Sequence, residues 1–251
     1  MKSRALARRG WLSKCLHRTR QTMWRRNSPP PPGQINFGEL RQPPLFQCDV
    51  NYSQGQGLDQ YYIEQFLRRE ARLMKRRVLE IGSDCMPEFG GSRTATTTSL
   101  PFAQETQLLS DLAALKDNTY DAVVMVQVLQ FIFDLHAVLR YAYRVLIPGG
   151  ILLAAMPGTC YVPNHADGRR PYWGFTGLSV RTLLGSTFPA RSINIQSFGN
   201  VFVATAHVQH LAAQDLTRTE LNHRDEHYPF VVTFKAEKLE QNSLTCEQRN
   251  F

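Results

Sequence analysis

The chain has 251 residues, of which 43% are hydrophobic, and its formal net charge is +8. This length allows one well-buried α/β domain with tails and excludes two large domains. No apolar run reaches the roughly 18 residues that a membrane-spanning helix needs. The five scattered cysteines contain no C-x-x-C pair, which argues against a disulfide framework or a thiolate zinc site and favours a reducing, cytoplasmic environment.

The positive charge is concentrated at the N-terminus. Residues 1–33 hold nine Lys and Arg and no Asp or Glu, so the rest of the chain sums to −1. A basic groove for nucleic acid is therefore not expected in the folded part. We interpret this segment, which ends in the polyproline run 29–32, as a disordered solvated arm. A surface helix on anionic lipid and an organelle import signal are the alternatives.

The first predicted elements are a helix and a strand. QYYIEQFLRREARLMKR at residues 60–76 has its apolar residues at helical spacing, which predicts an amphipathic helix. VLEIGS follows as a buried strand that contains one acid, Glu80, and ends at Gly82, where a glycine allows a tight turn close to a ligand. The G-x-G-x-x-G spacing of dinucleotide sites is missing, because the next glycines are Gly90 and Gly91.

A Thr-rich segment at 94–100 has no clear periodicity. It is followed by a short predicted strand at 107–109 that ends at Asp111, and by a strongly apolar strand at 121–126. Apolar residues at helical spacing from Leu135 to Leu146 then predict a helix that stops at the Pro-Gly-Gly of residues 148–150.

The C-terminal half continues the alternation of strands and helices. We predict a strand at 151–156, a helix in FTGLSVRTLLGSTF capped by Thr176, a strand in SINIQSF, a helix in FVATAHVQHLAA and a final strand in PFVVTFKAEK. This order predicts a doubly wound, mostly parallel sheet with helices on both faces. The ligand of such a sheet lies beyond the carboxyl ends of the strands, where Gly82, Asp111 and Gln127 would converge.

The motifs VLEIGS, LLSDLAAL, YDAVVMVQVLQF, RVLIPGGILLAAMPG and YWGFT, in this order, resemble the class I S-adenosylmethionine-dependent methyltransferases. QYYIEQFL, EFGG, FGN and NHRDEHYP are similar to a methyltransferase-type-11-like group associated with polysaccharide glycosyltransferases. The resemblance covers about residues 36–238. It implies a Rossmann-like sheet of seven strands whose last strand is antiparallel, a methyltransferase-like domain at 34–238 and a C-terminal tail at 239–251.

The resemblance also implies a set of residues that hold S-adenosylmethionine. Glu80 would lie near the methionine ammonium, Gly82 would admit its backbone, and Ser83 would donate to its carboxylate. Asp111 would accept a hydrogen bond from the adenine amine, while Leu112 would pack on the adenine ring.

Three further residues follow from the same resemblance. Gln127 would lie near the methionine end of the cofactor, and Tyr61 and Tyr62 belong to a helix that can cover it. The sequence departs from the family pattern in having no acid in TATTTSL to hold the ribose hydroxyls, and Gln60 in place of an arginine.

Methyl transfer to a sugar hydroxyl also needs a group that removes a proton. YVPNHADGRRPYWGFT at 161–176 offers His165 and Asp167 as base candidates and Tyr172 and Trp173 as a sugar-stacking surface. In the alternative interpretation His165 lies in a solvated loop and Trp173 packs in the core.

HRDEH at residues 223–227 fits the H-x-x-E-H pattern of inverted zinc proteases. That chemistry needs both histidines on one helix, whereas Pro229 and a strand follow at once, so we predict a loop and no metal. We expect His207 and His210 to be surface or packing residues.

The leading hypothesis is an O-methyltransferase that acts with S-adenosylmethionine on a saccharide or a related hydroxylated metabolite. The alternative is a non-catalytic binding or scaffold protein that keeps the fold with eroded cofactor motifs. Modification of nucleic acid is disfavoured by the near-neutral domain.

Overall fold

The computed structural model describes residues 55–82, 94–158 and 169–240. The predicted basic arm at 1–33, Ser83, His165 and Asp167 lie outside the described residues, and most of the predicted C-terminal tail does so too.

The described residues form six strands and six α-helices. In chain order they are α1 Leu58–Glu70, β1 Arg76–Gly82, β2 Thr94–Pro101, α2 Glu105–Ala114, β3 Tyr120–Val126, α3 Leu135–Val145, β4 Leu146–Pro157, α4 Gly177–Gly185, β5 Ile193–Phe198, α5 Val201–Val208, α6 Arg218–Asn222 and β6 Val231–Glu237. Short 3₁₀ turns follow α1 and β3 and precede β5 and α6.

The strands make one sheet in the order β2-β1-β3-β4-β6-β5. The pairs β2–β1, β1–β3 and β3–β4 are parallel, whereas β6 is antiparallel to both β4 and β5. The mostly parallel sheet with an antiparallel last strand is therefore confirmed, with six strands in the described residues where seven were expected. The chain leaves β1 for β2 on one side and returns to β3 on the other, which makes the β1–β3 boundary the switch point where ligands bind in such sheets.

Two cores cover the two faces of the sheet, because successive strand side chains point to opposite faces. One face carries Leu79 and Met125 and packs against α2, α3 and α4. The other carries Val78 and Val124 and packs against α1 and α5 through residues such as Phe66. The prediction of helices on both faces is thus confirmed.

The strand predicted at 107–109 is wrong, because these residues lie inside helix α2. Leu108 and Leu112, four residues apart, are both fully buried on one helix face. The C-terminal carbonyls of α2 are satisfied by Arg144, whose guanidinium nitrogens donate to Leu112 O at 2.7 Å and Leu115 O at 2.9 Å. The neighbouring strand is β2, which the Thr-rich segment forms, as suits β-branched residues.

Of the other local predictions, the start of α4 and the HRDEH loop are confirmed, whereas the predicted turn after α3 is wrong. Thr176 and Ser179 form a reciprocal capping box at the start of α4. Helix α3 begins at the Asp134 cap and ends at Val145, so Pro148 and its glycines lie in β4 and not in a turn. HRDEH is outside helix and strand, as expected.

The FGN and NHRDEHYP motifs pack against each other. Buried Asn200 caps α5 by accepting from Phe202 N and Val203 N, and its amide donates to the Glu220 and His223 carbonyls at 2.8 Å each. The two hydrogen bonds from the Asn200 amide join the start of α5 to the end of α6, which gives the motif pair a structural role.

No helix in the described part of the chain combines the length and the apolar character that crossing a membrane requires.

Candidate cofactor and acceptor site

Gly82 ends β1 beside the switch point. Its φ is +104°, and a Cβ added there would lie 2.1 Å from the Val128 Cγ2 atom. Both the left-handed backbone and this close contact exclude any other residue without strain. The sequence therefore needs glycine here to bring the end of β1 against the segment after β3.

Glu80 lies two residues before Gly82 and is only 2% exposed. It is paired in register with Ser99 of β2 and Val124 of β3, near the centre of the parallel strands. A buried carboxylate at this depth needs hydrogen-bonding partners. Its contact with the methionine ammonium stays a prediction.

Gln127 follows β3 in a left-handed conformation, with φ of +54°. Its backbone N–H donates to Ala155 O at 2.9 Å, so the strained residue is still anchored to β4. Non-glycine residues held at positive φ concentrate at functional sites. The structure thus brings Gln127 and Gly82 to neighbouring strand ends, as the sequence predicts for the ligand edge.

Gln127 is part of a chain of three polar side chains that sequence reasoning missed. Its Nε2 donates to Asp59 Oδ2 at 3.3 Å, and its Oε1 accepts from Gln130 Nε2 at 3.0 Å. Asp59 belongs to the first turn of α1. Nothing in the local sequence links residues 68 positions apart, so only the fold reveals this contact.

Asp111 and Leu112 lie within α2 and not at the end of a strand. Asp111 accepts from Gln107 Nε2 at 2.7 Å, and the cap of α2 is Gln104, which excludes a capping role for Asp111. Leu112 is fully buried in the core between α2 and the sheet. This burial gives Leu112 a packing role, and the adenine contacts of both residues stay predictions.

Tyr61 and Tyr62 join α1 to α6. The Tyr61 hydroxyl donates to Asn222 Oδ1 at 3.4 Å, and the buried Tyr62 hydroxyl donates to Leu221 O at 2.6 Å. Burial, with the Tyr61 phenol beside it, raises the pKa of Tyr62, which keeps that phenol neutral at all physiological pH values. A role of Tyr61 in covering the cofactor stays a prediction.

Three exposed aromatic residues form what we call the aromatic ledge: Phe133, Tyr172 and Trp173. The Phe133 ring lies 5.6 Å from the Tyr172 ring and is stacked on the Trp173 ring at 6.0 Å. Trp173 donates from its indole nitrogen to Ile132 O at 2.8 Å and remains 37% exposed, so it is not a core residue. Phe133 was missed by sequence reasoning.

The carboxyl end of β2 is occupied by aromatic and cationic groups. The Arg169 guanidinium lies 5.6 Å from the Phe102 ring centroid and 5.3 Å from that of Phe131, and it donates to Phe102 O at 3.2 Å. Glu105, the first acid after β2, accepts from the backbone N–H groups of Phe133 and Asp134 at 2.9 and 2.8 Å. Its carboxylate therefore caps this loop.

His207 is a buried histidine on α5, with its ring 4.8 Å from that of Phe230. Burial lowers its pKa, the nearby His210 adds to this effect, and Asp59 opposes it. The unfolded chain therefore binds a proton at this histidine more readily than the folded chain does. The stability that the neutral, buried ring contributes is complete above the ordinary histidine pKa of about 6.5 and is lost as the pH falls below it.

We therefore expect the melting temperature of the wild type to fall between about pH 7.5 and 5.5 more steeply than that of His207→Gln. Thermal unfolding across this range gives the measurement, and His136→Gln, at an exposed histidine, is the control that should follow the wild-type slope. Parallel curves for wild type and His207→Gln would contradict the depressed pKa.

Comparisons with known proteins gave one family match and a set of similar solved structures. Residues 83–154 match the family model described as a methyltransferase domain. No curated protein matches the sequence. Similar solved structures include an S-adenosylmethionine-dependent methyltransferase from Archaeoglobus fulgidus, at 15% identity over 71% of this chain and 94% of that one, with a TM-score of 0.46.

Two further structures have comparable similarity. The methyltransferase from Mesorhizobium loti is 16% identical over 72% of this chain and all of that one, with a TM-score of 0.46. The 1,6-didemethyltoxoflavin-N1-methyltransferase from Burkholderia thailandensis is 12% identical over 72% of this chain and 81% of that one, with a TM-score of 0.44.

The domain match falls within a sheet that is mostly parallel with an antiparallel last strand, as the resemblance implies. The comparisons therefore support a methyltransferase domain at residues 83–154 of this chain.

Proposed function

We propose that this protein transfers a methyl group from S-adenosylmethionine to a hydroxyl group of a small metabolite, a saccharide or a related polyhydroxylated molecule. The observation that carries this proposal is the meeting of Gly82 and the strained Gln127 at the switch point, in a chain that contains the methyltransferase domain match.

The residues at this edge suit the methionine end of the cofactor. Buried Glu80 places a carboxylate in the strand that leads to Gly82. The side-chain amides of Gln127 and Gln130, hydrogen-bonded to each other, add neutral polar groups after β3. When bound, S-adenosylmethionine supplies the electrophilic methyl group. The protein contributes mainly position, because an in-line nucleophile about 3 Å from the methyl carbon gains much of its rate from orientation and exclusion of water.

The aromatic ledge supports a ring-shaped acceptor. Tyr172 N donates to Gln130 O at 2.7 Å, so the ledge is attached to the same segment that follows β3. Tyr172 is 60% exposed and Phe133 65% exposed, which leaves apolar ring faces for the C–H face of a sugar. His165 and Asp167, which precede the ledge residues Tyr172 and Trp173 in the sequence, remain the proposed bases.

Isothermal titration with S-adenosylmethionine and S-adenosylhomocysteine tests this function. We expect saturable binding with a Kd between about 1 μM and 1 mM, the range of common enzyme substrates. Circular dichroism of the same sample establishes that the protein is folded. Folded protein that gives no binding heat at millimolar cofactor would defeat the enzyme proposal.

A non-catalytic scaffold is the second candidate, and the end of β2 favours it. That strand ends in Ser99, Leu100 and Pro101, without an acid for the ribose hydroxyls, and Arg169 covers the Phe102 ring that follows. The same titration separates the two functions. Transfer of a radiolabelled methyl group to any member of a saccharide panel would exclude the scaffold.

A further inference from the structure

We propose that Gln130 is a positioning residue for the cofactor ammonium, and that Asp59 sets its hydrogen-bonding polarity through Gln127. This inference rests on the proposed function, because it assigns a new contact to the same cofactor. It assigns roles to Asp59 and Gln130, two residues to which the family resemblance gives no role.

The polarity of the three side chains follows from the acid at their end. An amide side chain has one accepting oxygen and one donating nitrogen, and the two are hard to distinguish by shape alone. An ionised carboxylate only accepts, so Gln127 must turn its NH₂ group toward Asp59 and its oxygen toward Gln130. Gln130 must then donate to Gln127, which leaves its own Oε1 as an acceptor of fixed direction.

The Gln130 Oε1 atom is buried and has no hydrogen-bond partner among the described residues. The residue is 6% exposed, so the surrounding protein already shields this acceptor. Buried polar atoms are paired in the great majority of folded proteins, since an unpaired one costs about 1–3 kcal/mol. The expected partner of Gln130 Oε1 is therefore a bound group that donates a hydrogen bond.

The carboxylate of Asp59, at the other end of these three side chains, indicates that the group that donates to Gln130 Oε1 is a cation. Asp59 forms no ion pair with a Lys or Arg in the described ranges 55–82, 94–158 and 169–240. The nearby His207 is held neutral, because burial lowers its pKa. Hydrogen bonds in a row polarise one another, so the carboxylate makes the terminal amide oxygen more negative.

The location of Gln130 supports a contact with the cofactor. Its 3₁₀ turn, Leu129–Phe131, begins one residue after Val128, which touches the Gly82 turn. The methionine part of S-adenosylmethionine carries an ammonium group with three donors, which matches a fixed acceptor backed by an anion. The same residue also holds the aromatic ledge through its backbone carbonyl, so it joins the cofactor end of the site to the acceptor end.

Two probes separate the amino-acid part of the cofactor, which carries the ammonium, from the adenosine and the thioether. S-adenosylhomocysteine contains it, whereas 5′-methylthioadenosine keeps the adenosine and the thioether and lacks the amino-acid part. We expect Gln130→Met to weaken the binding of S-adenosylhomocysteine by about 10- to 100-fold, the loss of a hydrogen bond to a charged group, and to leave the binding of methylthioadenosine within about threefold.

Asp59→Asn should also weaken the binding of S-adenosylhomocysteine selectively. An asparagine can donate as well as accept, so it no longer fixes the direction of the hydrogen bonds through Gln127 to Gln130. In Asp59→Asn/Gln130→Met the losses should not add, since both changes remove one interaction. Gln196→Met, in β5 at the far edge of the sheet, is the matched control and should bind both probes like the wild type. Thermal unfolding of each variant confirms that it is folded.

The outcomes are separable. Wild-type protein that binds neither probe would defeat the proposed function itself. Wild-type binding of S-adenosylhomocysteine that Gln130→Met leaves unchanged would overturn only the role of Gln130. Equal losses for both probes would also overturn it, because they would show a general disturbance of the site.

Discussion

Gly82→Ala should lower the free energy of unfolding by about 2–5 kcal/mol. Two costs combine at this position: a left-handed backbone costs a residue with a Cβ about 1–2 kcal/mol, and overpacking against Val128 costs about 1–3 kcal/mol. Urea unfolding, with the midpoint and slope compared to the wild type, measures the loss.

Two variants separate these costs. Gly149 has φ of +77° and no heavy atom within 4 Å of an added Cβ, so Gly149→Ala carries the backbone cost alone, about 1–2 kcal/mol. Val128→Ala makes room at the contact, so Gly82→Ala/Val128→Ala should be more stable than the sum of the single losses allows. If the losses of unfolding free energy from the two changes simply added, the steric argument would be wrong. The cost of Gly82→Ala would then come from the backbone conformation alone.

Because the Gly82 turn borders the predicted cofactor site, the same substitution should also weaken S-adenosylhomocysteine binding. Gly149→Ala, near the start of β4, should leave the affinity unchanged. A Gly82→Ala variant that is destabilised yet binds the cofactor normally would show that the glycine serves the fold alone.

Leu112→Ala should cost about 2–5 kcal/mol of unfolding free energy, the range for a buried leucine replaced in a core that cannot fully collapse. The side chain is fully buried and packs between α2 and the sheet, with Leu108 one turn away. Urea unfolding again provides the measurement. A loss below about 1 kcal/mol would show that the site relaxes, and would leave room for the predicted contact with adenine.

Asp111→Ala is the matched variant from the next position of the same helix. Its visible interaction is an exposed hydrogen bond with Gln107 at spacing i, i+4, which is worth about 0.2–0.5 kcal/mol. Stability should therefore hardly change. If Asp111 accepts from the adenine amine, S-adenosylhomocysteine affinity should fall about 10- to 150-fold. Unchanged affinity would remove Asp111 from the proposed cofactor site.

The aromatic ledge explains why sequence reasoning reached only part of the proposed acceptor surface. The motif YWGFT indicates Tyr172 and Trp173, whereas Phe133 lies in an apolar run that is typical of a buried core segment. In the structure Glu105 caps the loop that carries Phe133, and the ring is turned outward, 65% exposed, against the other two. Whether the apolar side chain of Phe133 is exposed depends on the geometry of this loop and not on the residue type.

Local chemistry in the sequence determined most of the regular elements. The period of apolar residues placed α1, α3 and β6, and short polar signals fixed helix starts, as Thr176 and Asp134 show. These signals act within a few residues, through hydrogen bonds and packing on one face, so they can be read without the fold. The collinear motifs placed Gly82 and Gln127 at the ends of neighbouring strands, where the structure has them.

Only the tertiary structure decided how distant residues are combined. The sequence of residues 107–109 is too short to indicate whether they form a strand or a helix. Helix α2 forms because Leu108 and Leu112 pack in the core and because Arg144 donates hydrogen bonds to the last carbonyls of the helix. Asp59 meets Gln127, 68 residues away, only because α1 packs beside the end of β3. Contacts across such sequence distances depend on sheet order and helix placement, which no local pattern encodes.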